Sequence, residues 1–194
     1  MSQPARFLPG PGPRRPATIA DWEAVPAPYT AHLIDGKLYA MGRPRPAHAV
    51  ALGRLFARLS PFDPGPERQG PGGWLLLLEV DVRVGGNIVA PDLAGWRRER
   101  MAMVPDVTPI PLAPDWVCEV LSPSTEVFDR GDKAGWYASV GVESLWFVDP
   151  EAKTLEAYQN DAGQWRPVGR WQGEGEMAAP PFEATPWPLT ALWG

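Results

Sequence analysis

The chain has 194 residues, 44% hydrophobic and 21% charged, and its 18 Lys and Arg against 23 Asp and Glu leave a net charge of −5. That length and balance describe one globular domain with a sizeable core, and exclude a disordered chain or one that coats nucleic acid through bulk positive charge. A single cysteine, Cys118, excludes an internal disulfide and a cysteine-based zinc site.

Pro (25) and Gly (20) make up about a quarter of the residues, against a usual share of roughly an eighth, so much of the chain must be loop. Residues 1–17 read as a flexible arm, 18–170 as the ordered domain, and 171–194 as a Pro-, Gly- and Trp-rich tail wrapping the surface. Thr18 caps a short helix through Asp21, Trp22 and Val25. Asp35-Gly36 between two apolar runs predicts a hairpin over 32–41. Leu52, Leu55, Phe56 and Leu59 mark an amphipathic helix over 47–60, followed by a loop to Gly73. Leu75–Val84 reads as one long strand, Gly85-Gly86-Asn87 as its turn, and Ile88–Trp96 as a partner strand interrupted by Pro91.

Asp115–Leu121 is short and mostly apolar, as an interior strand should be. Ser124 can cap a helix that runs to about Val140 and stops at Gly141. Leu145–Val148 is the next strand, and a hairpin follows over 154–168, turning at 160–163. Strand, helix and strand between 115 and 148 imply a right-handed crossover and a parallel pair. The expectation is a single α/β domain with a mixed central sheet flanked by helices. The longest apolar run, Trp74–Leu78, is too short to cross a bilayer. With no secretory signal opening the sequence, a cytoplasmic protein without membrane contact is expected.

No glycine-rich phosphate loop, nucleophile elbow or multi-histidine set occurs, so the chemistry falls to carboxylates. Glu119 lies within an apolar strand, where a carboxylate must be paired, protonated or bound to a cation. Asp92 follows Pro91, and Glu119-Val120-Leu121 comes about 27 residues later. This is the layout of PD-(D/E)XK nucleases, in which two carboxylates and the intervening residue's carbonyl, here Val120, hold Mg²⁺ or Mn²⁺. Leu121 stands where that superfamily usually has lysine. Lys133 lies one helix further on with Asp129 four residues before it, a spacing that by itself predicts an exposed helical ion pair.

The run Glu119-Val-Leu-Ser-Pro-Ser-Thr125, then Asp129, Lys133, Tyr137 and Gly141–Pro150, resembles the Uma-type restriction endonucleases. Leu33-Ile-Asp35-Gly36, His48 and Pro91-Asp92 fall in matching order upstream. The resemblance implies a PD-(D/E)XK restriction-endonuclease-like fold and Mg²⁺-dependent cleavage of DNA. It also implies Asp92 and Glu119 as metal ligands, Lys133 as the relocated lysine, and His48 lining the site. Two positions depart from the pattern: His32 replaces a common Glu, and Lys37 a common acid.

Those departures, Leu121 and the acidic net charge support an alternative, a catalytically silent nuclease fold serving as a binding or accessory module. Convergence of Asp92, Glu119 and Lys133 at one end of the sheet discriminates between the two. Asp92 and Glu119 are expected to crowd as unpaired carboxylates when no metal is bound. The tryptophan content and strand edges at 153–168 further suggest a homodimer.

Overall fold

The computed structural model describes residues 15–64 and 70–193. Most of the expected arm therefore lies outside the described residues, and Arg15 at its end is tied to Asp21 (2.8 Å). In chain order come helix α1 (Ile19–Glu23), strands β1 (Thr30–Ile34) and β2 (Lys37–Met41), and helix α2 (Pro46–Leu59). Strands β3 (Trp74–Leu78), β4 (Val82–Val84), β5 (Asn87–Val89), β6 (Leu93–Arg97) and β7 (Trp116–Val120) follow. A helical segment then joins α3 (Glu126–Phe128), a π-helical turn (Asp129–Lys133) and α4 (Ala134–Ser139). The chain continues through β8 (Ser144–Asp149), β9 (Thr154–Asp161), β10 (Gln164–Gln172), β11 (Glu176–Met177) and β12 (Trp187–Pro188), then a 3₁₀ turn (Leu189–Leu192).

The large sheet has the order β10-β9-β8-β7-β6-β3, with β7 and β8 parallel and every other neighbour antiparallel. The fold is mixed α/β, with the helical segment crossing between the parallel pair. A smaller sheet of order β2-β1-β5-β4 lies beside it. Its first hairpin turns at Asp35 (φ 48°) and Gly36 (φ 73°), the left-handed pair that an Asp-Gly turn supplies at little cost.

The long hairpin predicted over 75–96 is divided. β3 pairs with β6 in the large sheet, whereas β4 pairs with β5 in the small one. One strand changes sheets at Glu79, which adopts φ 49°, and its partner changes at Pro91, which has no N–H for a ladder. Alternation of side chains hid this break, because both halves keep a period of two. Asp92 therefore sits at a corner between sheets rather than within a strand.

Alternation on β7 also divides the core. Trp116, Cys118 and Val120 face one apolar cluster with Leu52, Leu55 and Leu59 of α2, while Val117 and Leu121 face another with Phe128, Trp136 and Tyr137. The segment after β10 does not simply wrap the surface: Met177, Phe182, Trp187, Leu189 and Leu192 are buried in the first cluster. Its apolar residues are spaced irregularly between prolines, so no periodicity announces them. Phe182 packs its ring 4.8–5.6 Å from those of Phe62, Trp74, Trp116 and Trp146. Phe182→Ala is expected to cost about 3–5 kcal/mol, read by guanidinium unfolding. A loss below about 1 kcal/mol would mean that this segment is not part of the core.

Strand β10 forms an edge. It carries a bulge between Pro167 and Gly169 and exposed Arg166 and Arg170, features that disfavour edge-to-edge pairing of two copies. Among the described residues no helix is long and apolar enough to cross a membrane.

Candidate functional site

The end of β7 meets the corner at Asp92. The Val120 N–H donates to Asp92 Oδ2 (2.7 Å), whereas the next N–H, of Leu121, donates to Val148 O on β8 (2.7 Å). Peptide groups alternate along a strand, so the Val120 carbonyl lies on the Asp92 side with its N–H. His48, in the first turn of α2, places Nε2 3.0 Å from the same Asp92 oxygen. Both hydrogen bonds of this carboxylate thus fall on Oδ2, and Oδ1 has no protein donor among the described residues.

Glu119 points to the opposite face from Cys118 and Val120 and has no exposed surface. It is not unpaired, as the sequence had suggested. Lys133 Nζ donates to Oε2 (2.7 Å), the Tyr137 hydroxyl donates to Oε1 (2.5 Å), and the Asp92 N–H approaches Oε2 at 3.4 Å. Asp129 Oδ1 lies 3.6 Å from the same ammonium. The exposed helical pair expected from spacing is overturned as well: Asp129 and Lys133 are both buried, at 4% and 3% exposure. The π-helical turn that contains them faces both toward β7, a local widening that often accompanies functional positions. With this turn, a lysine on a helix reaches the carboxylate that a lysine at Leu121 would have neighboured. Leu121 itself is buried in the apolar cluster.

Charge in this pocket is governed by burial. Desolvation raises the Glu119 pKa to about 8 against the nearby Lys133. Burial also pushes Lys133 down, but Glu119, Asp129 and Asp92 outweigh it and hold the ammonium charged above its ordinary range. Asp92 is raised by burial and lowered more by its bond to His48 and the Lys133 charge, so it stays ionised. His48 is moved up by Asp92 despite its burial. His32 is driven well below its ordinary value by burial and Lys133. Its Nδ1 accepts the Ala90 N–H (3.2 Å), which leaves the neutral ring with its proton on Nε2 and hence no lone pair there for a cation.

Arg43, Arg45, His48, Asp92, Asp129 and Lys133 line a cleft of about 180 Å³, and the fully buried Glu119 is hydrogen-bonded to two of these, Asp92 and Lys133. Tyr137 had no assigned role in the sequence reading. Its place four residues after Lys133 and eight after Asp129, opposite a buried Glu, was the available signal. Among the described residues, no three His, Cys, Asp or Glu side chains form a metal-binding group. Two carboxylates and the Val120 carbonyl are nonetheless hard oxygen donors that suit Mg²⁺, which retains several waters, and Asp92 Oδ1 lacks a partner among the described residues.

Comparison with known proteins agrees with this architecture. A protein of Synechocystis sp., “Uncharacterized protein slr1290”, is 30% identical over 135 residues, or 68% of this chain and 67% of that protein. A crystal structure of “a putative nuclease belonging to DUF820” from Anabaena variabilis matches with a TM-score of 0.70 at 21% identity, covering 92% of this chain and 98% of the other. At that identity the likeness speaks for the fold. The Uma2 family model, described as “Putative restriction endonuclease”, matches residues 17–190, and this chain belongs to that family.

Proposed function

We propose that the protein is an endonuclease that hydrolyses DNA phosphodiester bonds with Mg²⁺ or Mn²⁺ held by Asp92, Glu119 and the Val120 carbonyl. The observation that carries this reading is the junction of Asp92, whose Oδ1 meets no donor among the described residues, with the buried Glu119–Lys133 pair at one end of the sheet. When bound, the ion supplies polarisation of a phosphate oxygen and a lower pKa for its water. His48 holds Asp92 Oδ2 so that the other oxygen faces the cleft. Lys133 contributes a fixed positive charge close to where negative charge grows in the transition state, at no reorganisation cost. Asp129 and Tyr137 position Lys133 and Glu119, respectively.

The test is cleavage of plasmid and single-stranded DNA across a Mg²⁺ titration, together with melting of the protein. Mg²⁺ should raise the melting temperature by mass action, and Asp92→Asn should abolish the increment. Because burial raises the Glu119 pKa to about 8, an ion must compete with protons for this carboxylate. The increment should therefore be larger at pH 8.5 than at pH 6. An unchanged increment in Asp92→Asn would remove that residue from the site. Asp92-dependent Mg²⁺ binding without cleavage of either DNA would instead favour a silent nuclease fold acting as a binding module.

A further inference from the structure

An asymmetry of charge lies beside the cleft. Residues 36–62 contain Lys37, Arg43, Arg45, Arg54 and Arg58 and no acid, a local charge of +5 in a chain whose total is −5. Most described arginines elsewhere are neutralised, Arg83 being the exception: Arg97 pairs with Glu143, Arg98 with Asp63, Arg100 with Asp115, and Arg130 with Glu126 and Glu156. Arg43, Arg45, Arg54 and Arg58 are exposed, and no side chain among them has an ion-pair or hydrogen-bond partner among the described residues. Arg43 and Arg45 line the cleft. Arg54 and Arg58 are four residues apart on α2, whose first turn delivers His48 to Asp92. At 1.5 Å per residue they stand about 9 and 15 Å along the helix from His48, a span of several backbone phosphates.

We infer that the Gly42–Arg45 loop and the exposed arginines of α2 form the surface that docks the DNA sugar–phosphate backbone, leading it to the cleft. The inference rests on the nuclease reading of the cleft and assigns its substrate-binding face. Arginine suits this task because its planar fork stays charged and grips phosphate oxygens in pairs. Such contacts hold the strand in position without reading its bases, so binding through this face should depend strongly on salt and little on sequence.

The test is fluorescence anisotropy of a labelled 25-base-pair duplex in Ca²⁺ over a salt series, with three paired variants. Arg43→Ser/Arg45→Ser and Arg54→Ser/Arg58→Ser should each weaken binding about tenfold or more at 0.1 M salt. Each should also flatten the slope of log K against log salt by about 2, one unit per lost phosphate contact. Arg166→Ser/Arg170→Ser, on the β10 edge, should bind as the wild type does. Wild-type affinity in either of the first two variants, with unchanged melting temperatures, would overturn the assignment, as would an equal loss in the β10 variant. A wild type that binds the duplex through these arginines yet never cleaves it would sustain the docking face and overturn the nuclease reading.

Discussion

Lys133→Met is expected to lower the rate of DNA cleavage by about 10²–10⁴-fold in single-turnover assays while leaving Mg²⁺ binding close to normal. The ammonium is buried, held charged by three carboxylates, and 2.7 Å from Glu119. Methionine keeps the unbranched apolar stem and removes the ammonium with its charge and its hydrogen bond to Glu119. Glu119, its pKa already raised to about 8, can then take up a proton rather than remain a bare buried anion. Asp129→Asn serves as the comparison. Asp129 touches the ammonium at 3.6 Å and only orients it, so its loss should cost about tenfold or less in rate. Equal effects of the two substitutions on stability, with cleavage unaffected, would retire Lys133 from the chemistry and leave it as a structural cation.

Glu119→Ala should be the most damaging single change to stability, at about 3–5 kcal/mol in guanidinium unfolding. It deprives the Lys133 ammonium and the Tyr137 hydroxyl of their shared acceptor in a place water does not reach. Lys133→Met should cost less, because the partner it leaves can be neutralised by a proton. The Glu119→Ala/Lys133→Met double variant should lose clearly less than the sum of the two, since the second change removes the charge that the first one orphaned. Coupling of about 0.5–3 kcal/mol is the range for residues in one network. Strict additivity would show that Glu119 and Lys133 do not depend on each other, contrary to their 2.7 Å contact.

Both carboxylates of the candidate site stand out in the sequence, for different reasons. An acid in an apolar strand needs a physical explanation, which singled out Glu119; Asp92 gained weight from its order and spacing relative to it. The relocated lysine was not legible from spacing. An i, i+4 Asp–Lys pair on a regular helix is most often exposed, and nothing in residue periodicity reports a π-helical turn that buries both. Its assignment came from resemblance to a family, and the contact with Glu119 supplies the physical reason. The corner at Asp92 was hidden because β3 and β4, and β5 and β6, keep one alternation across a change of sheet. Burial of Phe182 and Leu189 is not legible, because a Pro-rich segment has no period to read. The turns were the most legible elements: Asp35-Gly36 and Gly141 take the left-handed conformations that their chemistry favours.

The return of residues 177–192 to the α2 face has a consequence for synthesis. Trp74, Trp116 and Trp146 share their cluster with Phe182, Leu189 and Leu192, so their apolar face cannot be closed before residues 177–192 have been made. Leu192 follows Trp74 by 118 residues. At about 5–20 residues per second, that interval lasts roughly 6–24 s, during which a tryptophan-rich surface emerges without its cover. The nascent chain therefore carries an open tryptophan-rich face until residues 177–192 have emerged to cover it.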